Sequence, residues 1–290
     1  MRRLIVPVIA TLLATTACVP AWAHDRDVAS STLAQCHKIV PGELYAKNRL
    51  TVATDNPVNA PWFINNTPSN QMGFESALTY AIANALGFKP AQVSWVTEPF
   101  ATSLQPGSKD FDFDINEITV TPSRAQSVEF SAPYYQLQQS LVALKSSSLV
   151  KKNRPADLRN AVLGALVGSP GYAYATRAIA PKSPVKTFTT LNDAVRALEN
   201  KSIDAIVVDT PTGNLLVNWQ ILSATGQELA TQVGQFPADG TENYGLLLQL
   251  KNPLVGCINT SLSSLSGDGT MTKLTKKWLQ VYTSVPTLAP

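Results

Sequence analysis

The chain has 290 residues, 44% hydrophobic and 15% charged, enough apolar material for a large core and about two domains at ~150 residues each. Its net charge is +3, but setting aside Arg2 and Arg3 in a leader leaves 21 basic against 20 acidic residues, and no basic cluster exceeds Lys151-Lys152 or Lys276-Lys277. That balance argues against a nucleic-acid partner, and two histidines, His24 and His37, both ahead of the expected folded body, argue against Ser/His triads, zinc hydrolysis and haem ligation.

The N terminus reads as an export signal. Arg2-Arg3 is followed by the uncharged, mostly apolar stretch Leu4 to Ala17, too short for the ~20 helical residues that span a bilayer. Ala21-Trp22-Ala23 is a small-x-small cleavage site before the charged His24-Asp25-Arg26, so cleavage after Ala23 is expected. A lipid anchor on Cys18 is disfavoured, because Thr15 stands where such a site usually has Leu. The mature product is expected to be exported and soluble, in a periplasm or its equivalent. Cleavage leaves Cys36 and Cys257, 221 positions apart. In an oxidising compartment they are expected to pair; the alternative is two buried free thiols. Two cysteines without nearby histidines make a poor metal site, and no cofactor is expected.

The elements follow in alternation. Leu50–Thr54 reads as a strand. Phe74 to Leu86 has apolar residues at helical spacing and ends at Gly87, a C-cap residue. Val93–Val96 reads as a strand and Pro99–Leu104 as a short helical stretch. Phe111, Phe113 and Ile115 alternate with Asp112, Asp114 and Asn116 as in a strand. Thr121-Pro122 opens a helical turn, with Thr as N-cap and Pro first inside. Leu141–Leu144 is a strand. Ala161–Val167 is another, and Gly168-Ser169-Pro170-Gly171 turns into a helix through Ala178. Thr190 to Asp193 forms a capping box for a helix to Glu199. Ile203–Val208 is a strand ending at Asp209, and a helix begins near Thr212. Tyr244–Leu250 reads as a strand; Pro253–Leu265 and Thr270–Val281 read as helices. This alternation predicts an α/β fold with mostly parallel sheets flanked by helices.

Several of these segments, in this order, resemble the family 3 (amino-acid-type) solute-binding proteins of ABC importers. They are Leu50 to Asp55 with Ala60-Pro61-Trp62-Phe63; Gly73-Phe74-Glu75; Phe111-Asp112; Thr119 to Arg124; and Val128 to Tyr135. Further on come Ile203 to Asp209, Tyr244-Gly245, and Gly267 through Trp278. The resemblance implies a two-lobe, type II periplasmic-binding fold with ligand held in the cleft. It implies a signal peptide over 1–23, an N-terminal extension over 24–44, lobe one over 45–143 plus 239–290, and lobe two over 144–238. It also implies a monomer that hands its ligand to ABC permease subunits.

An amino acid carries a carboxylate and an ammonium. Arg124 offers the planar, bidentate partner for the first, with Thr119 adding a hydroxyl and an amide, and Ile118 beside it. Asp209, at the carboxyl end of a strand, suits the ammonium; the alternative is a helix N-cap, since Thr210-Pro211 follows. Ser169 resembles a second-lobe donor, although Pro170 removes one N–H. Asn59 replaces an aromatic residue that often covers the ligand, which makes Trp62 the lid candidate, with core packing as the alternative. Asn116-Glu117 stand where the family usually has small residues. Glu117 either faces a cationic ligand group or pairs with a lysine. Asp55 either lines the pocket or is held by backbone amides. Asp55 and Glu117 together favour a polar or basic ligand side chain. Two alternatives share the fold: a cyclohexadienyl or arogenate dehydratase-like enzyme, with Glu117 as the candidate general acid, and a ligand-sensing protein.

Overall fold

The computed structural model describes residues 31–238, 240 and 242–289. The expected signal peptide, its cleavage after Ala23, Cys18 and residues 24–30 of the extension lie outside them, as does Asp239.

Two five-stranded sheets carry the fold. The first runs Val93–Thr97, Leu50–Thr54, Phe113–Asp114, Leu247–Leu248, Glu129–Phe130. The second runs Ala230–Gln235, Gln139–Leu144, Ala205–Asp209, Leu163–Leu166, Lys186–Phe188. Each has a parallel part, fed by strand–helix–strand connections, and an antiparallel extension whose inner strand, Leu247–Leu248 in the first sheet and Gln139–Leu144 in the second, enters from the other lobe. Leu50–Thr54 is buried at every position, as a central strand covered on both faces should be. The helix Phe74–Ala85 buries Phe74, Leu78 and Ile82 against its sheet.

Two boundaries differ from the expectation. The strand Gln139–Leu144, placed in lobe one by a boundary at 143, pairs on both sides within the second sheet. Leu141 and Ala143 join one face's core and Val142 the other's, so the first crossing lies at Leu137-Gln138. The C-terminal tail also leaves lobe one. Gln235 N donates to Pro286 O at 2.9 Å and Leu288 N to Gln235 O at 2.8 Å, while Leu288 is buried in the second lobe's core. Its apolar side chain finds cover there and none at the end of the first lobe. The crossing itself is a two-stranded ribbon, Tyr135–Gln136 against Asn243–Tyr244.

One helix was absent from the sequence reading. Leu33–Glu43 begins at Thr32, whose side chain and that of Gln35 make a reciprocal capping box. It buries Cys36 and Val40 in lobe one. Cys36 is disulfide-bonded to Cys257 of the helix Val255–Gly267, with Cα atoms 5.4 Å apart, so the pairing expectation stands and the free-thiol alternative does not. The expected strand Tyr244–Leu250 is interrupted at Gly245, where a Cβ would meet the Val120 side chain at 2.7 Å. No helix among the described residues is long and apolar enough to cross a membrane.

Candidate functional site

The candidate site residues of lobe one lie on the loop Glu117–Arg124 and beside the start of the helix Phe74–Ala85. Gly73 joins that helix to the first loop at φ 97°; a Cβ there would run into the backbone of Trp62 and Phe63. Phe74 N and Glu75 N then donate to Pro61 O and Trp62 O, each at 3.0 Å.

Arg124 is half-buried. Its Nη1 donates to Thr119 O at 2.7 Å and its guanidinium carbon stands 5.2 Å from the Phe100 ring centroid. Thr121 Oγ1 accepts from Arg124 N at 3.3 Å, which orders the turn as expected. Thr119 pairs with Tyr244 as an isolated antiparallel bridge. A guanidinium stacked on a ring and tied by one donor keeps the rest of its fork for a carboxylate.

Glu117 sits at φ 51°, a conformation costly for a residue with a side chain. Its N–H is held at 2.8 Å by Oε1 of Glu75. Glu75 is fully buried, also accepts from the Tyr134 hydroxyl, and leaves Oε2 without a partner among the described residues. Burial pushes the Glu75 carboxyl up to about 8, against the pull of the two donors and with the Asp114 charge adding to it. Burial also raises the Glu117 carboxyl well above the usual range, and the nearby charges of Glu75 and Asp209 push it further. Among the described residues no lysine or arginine forms a salt bridge with Glu117.

Asp209 comes from lobe two. It caps the helix Thr210–Leu215, Oδ1 accepting from Thr212 N at 2.8 Å. Its charge also acts on Glu117, Tyr135 and Tyr244. The N-cap reading holds at this residue.

The remaining candidates fall elsewhere. Trp62 is 4% exposed and packs edge-on against Phe74, Tyr135 and Tyr244 at 5.9, 5.2 and 5.5 Å between centroids. It is a wall of the first lobe's core, and the lid expectation is corrected. Ile118 is fully buried among Ala53, Phe111, Val128 and Leu247, so its side chain serves the core. Only its carbonyl is engaged locally, accepting from Gly245 N at 3.1 Å. Asn59 is exposed and its carbonyl accepts from Phe63 N. Asp55 accepts from the amides of Asn56 (2.7 Å) and Phe100 (3.4 Å), the backbone-held alternative. Ser169 caps its helix, accepting from Tyr172 N at 3.1 Å. The structure thus joins Arg124 to Thr119, Glu117 to Glu75 and through it to Tyr134, and Tyr134 and Tyr135 to Tyr244 by ring contacts. Glu75 and the three tyrosines were not chosen from the sequence, although Tyr134-Tyr135 end its most diagnostic block.

A separate groove of about 590 Å³ opens between Tyr135-Gln136 and Met271, Thr275, Lys276 and Thr283. It contains none of Glu117, Arg124 or Asp209.

The profile of the bacterial extracellular solute-binding proteins, family 3, matches residues 50–281. The chain belongs to this family. Among the relatives of this family 3 protein, the "Probable histidine-binding protein" of Campylobacter jejuni is 28% identical over 240 residues, 80% of this chain and 86% of that one. The "ABC transporter arginine-binding protein 1" of Escherichia coli is 27% identical over 212 residues, 71% and 81% of the two chains. A solved structure of a reconstructed ancestral cationic amino acid solute-binding protein is 25% identical with a TM-score of 0.56, covering 86% of this chain and 99% of that one. The fold is the two-lobe, type II periplasmic-binding arrangement of mixed sheets flanked by helices, and the role of this family 3 protein is solute binding.

Proposed function

We propose that the protein captures a single amino acid, with a polar or basic side chain, between its lobes and delivers it to the permease subunits of an ABC importer. The observation that carries this reading is Arg124 on lobe one, half-buried and tied through its side chain only to Thr119 O and the Phe100 ring, which leaves most of its fork for a carboxylate. Arg124 takes the α-carboxylate and Asp209 the α-ammonium, while closure about the Tyr135–Gln136 and Asn243–Tyr244 ribbon encloses the rest. The chain works as an exported monomer, its leader removed after Ala23. Support for the ligand class comes from the arginine- and histidine-binding relatives, and support for the transporter from the family.

The test is mass spectrometry of the ligand that co-purifies with the mature chain, followed by calorimetry across the standard amino acids. Binding of one of them, lost in Arg124→Ala, is expected. A second reading, a dehydratase acting on a cyclic amino acid, has one observation in its favour: Glu117 is a carboxyl held toward its protonated state, as a general acid requires. Product formed from arogenate or prephenate would select it.

A further inference from the structure

Resting on the reading of the crevice as an amino-acid site, we infer that Glu117 is its specificity-determining residue. It is ionised opposite a ligand with a positively charged side chain and protonated opposite a neutral one, so the two complexes differ by one bound proton.

The inference follows from counting charge in the closed crevice. Arg124 is matched by the ligand's carboxylate and Asp209 by its ammonium. Among the described residues Glu117 makes no salt bridge, and the charges that act on it are the carboxylates Glu75, from the helix Phe74–Ala85, and Asp209, from lobe two, while it acts in turn on Tyr134 and Tyr244. Its carboxylate accepts no hydrogen bond from the described residues; only its backbone N–H is engaged. Glu117 is half-buried in the structure; once ligand and the second lobe cover it, a carboxylate with neither donor nor cation is costly, so it takes a cation from the ligand or a proton from solvent. Glu75 does not relieve it. Its Oε1 is used by the Glu117 amide and the Tyr134 hydroxyl, and its fully buried Oε2 has no partner among the described residues. Glu75 is a positioning residue, whose Oε1 holds the backbone N–H of the left-handed turn at Glu117.

A neutral ligand in the same place leaves the carboxylate unmatched unless it is protonated. The ratio of affinities for a basic and a neutral ligand therefore rises with pH. One proton of difference gives about a tenfold change in that ratio per pH unit.

The experiment is calorimetry of the full mature chain with arginine and with glutamine at pH 6.0 and 7.5. The expected result is a preference for arginine over glutamine that grows by about tenfold per pH unit, and that becomes pH-independent in Glu117→Gln. Glu117→Gly, which suits the positive φ, is the second variant and should behave alike. A preference that does not move with pH, or that survives both variants unchanged, overturns the role of Glu117 and leaves the amino-acid site standing. Failure of the folded wild-type chain to bind any amino acid overturns the site itself, and the inference with it.

Discussion

Replacing Glu75 by Gln probes a strongly perturbed buried carboxyl that lies outside direct ligand contact. In the unfolded chain its carboxyl loses a proton near pH 4.5; in the folded chain it keeps it to about 8. The folded state therefore binds the extra proton in that window, and stability falls as pH rises through it. Below pH 4.5 both states are protonated and the group costs nothing. At pH 7 the gap is about 2.5 pH units, worth about 3 kcal/mol at 1.36 kcal/mol per unit. Gln has the same shape, keeps an oxygen for the Glu117 amide and the Tyr134 hydroxyl, and has no proton to lose. Glu75→Gln should then be more stable than wild type by up to about 3 kcal/mol at pH 7 and equal to it near pH 4. Urea denaturation of both proteins at the two pH values reads this directly. A stability difference that does not change with pH, or a less stable variant at pH 7, would refute the assignment of a buried neutral carboxyl.

Asp209→Asn separates the two jobs of that residue. Asn is as good an N-cap as Asp, so the midpoint in urea should stay close to wild type while amino-acid affinity falls by more than tenfold; unchanged affinity would leave only the cap. Removal of the Cys36–Cys257 bond by Cys→Ser at both positions opens a loop of 221 residues, and should cost at most about 5.4 kcal/mol on the chain-entropy model. Two titratable thiols in unfolded, unreduced wild type would deny the bond. Trp62→Ala should lose about 3–5 kcal/mol of stability, as a core aromatic does; a normal midpoint with impaired binding would restore the lid role.

What was legible in the sequence was what local pattern determines. Leu50–Thr54 was read to the residue because polar groups bound a fully apolar-compatible strand on both sides. Phe74–Ala85 was read because its apolar spacing and Gly87 agree. The helix Leu33–Glu43 was missed although Thr32 and Gln35 spell its capping box, since Pro41 and Gly42 sit near its end and break the pattern. Leu141–Leu144 reads as a strand, but which sheet the observed strand Gln139–Leu144 joins depends on Ala205–Asp209 and Ala230–Gln235, more than sixty positions on. In the site, Arg124, Thr119 and Asp209 came from a local motif and a strand end. Trp62 was decided by rings at Tyr135 and Tyr244, and Glu117 by a carboxyl 42 positions earlier. Local spacing carries no information about such contacts.

The central claim is that Arg124 anchors the α-carboxylate of an amino acid held between the lobes. Isothermal titration of the mature chain and of Arg124→Ala with the amino acid that binds wild type best tests it most directly. Losing one partner of a desolvated charge pair costs about 2–5 kcal/mol, so Arg124→Ala should bind at least about thirtyfold more weakly or show no heat. A folded Arg124→Ala protein with wild-type affinity would contradict the account.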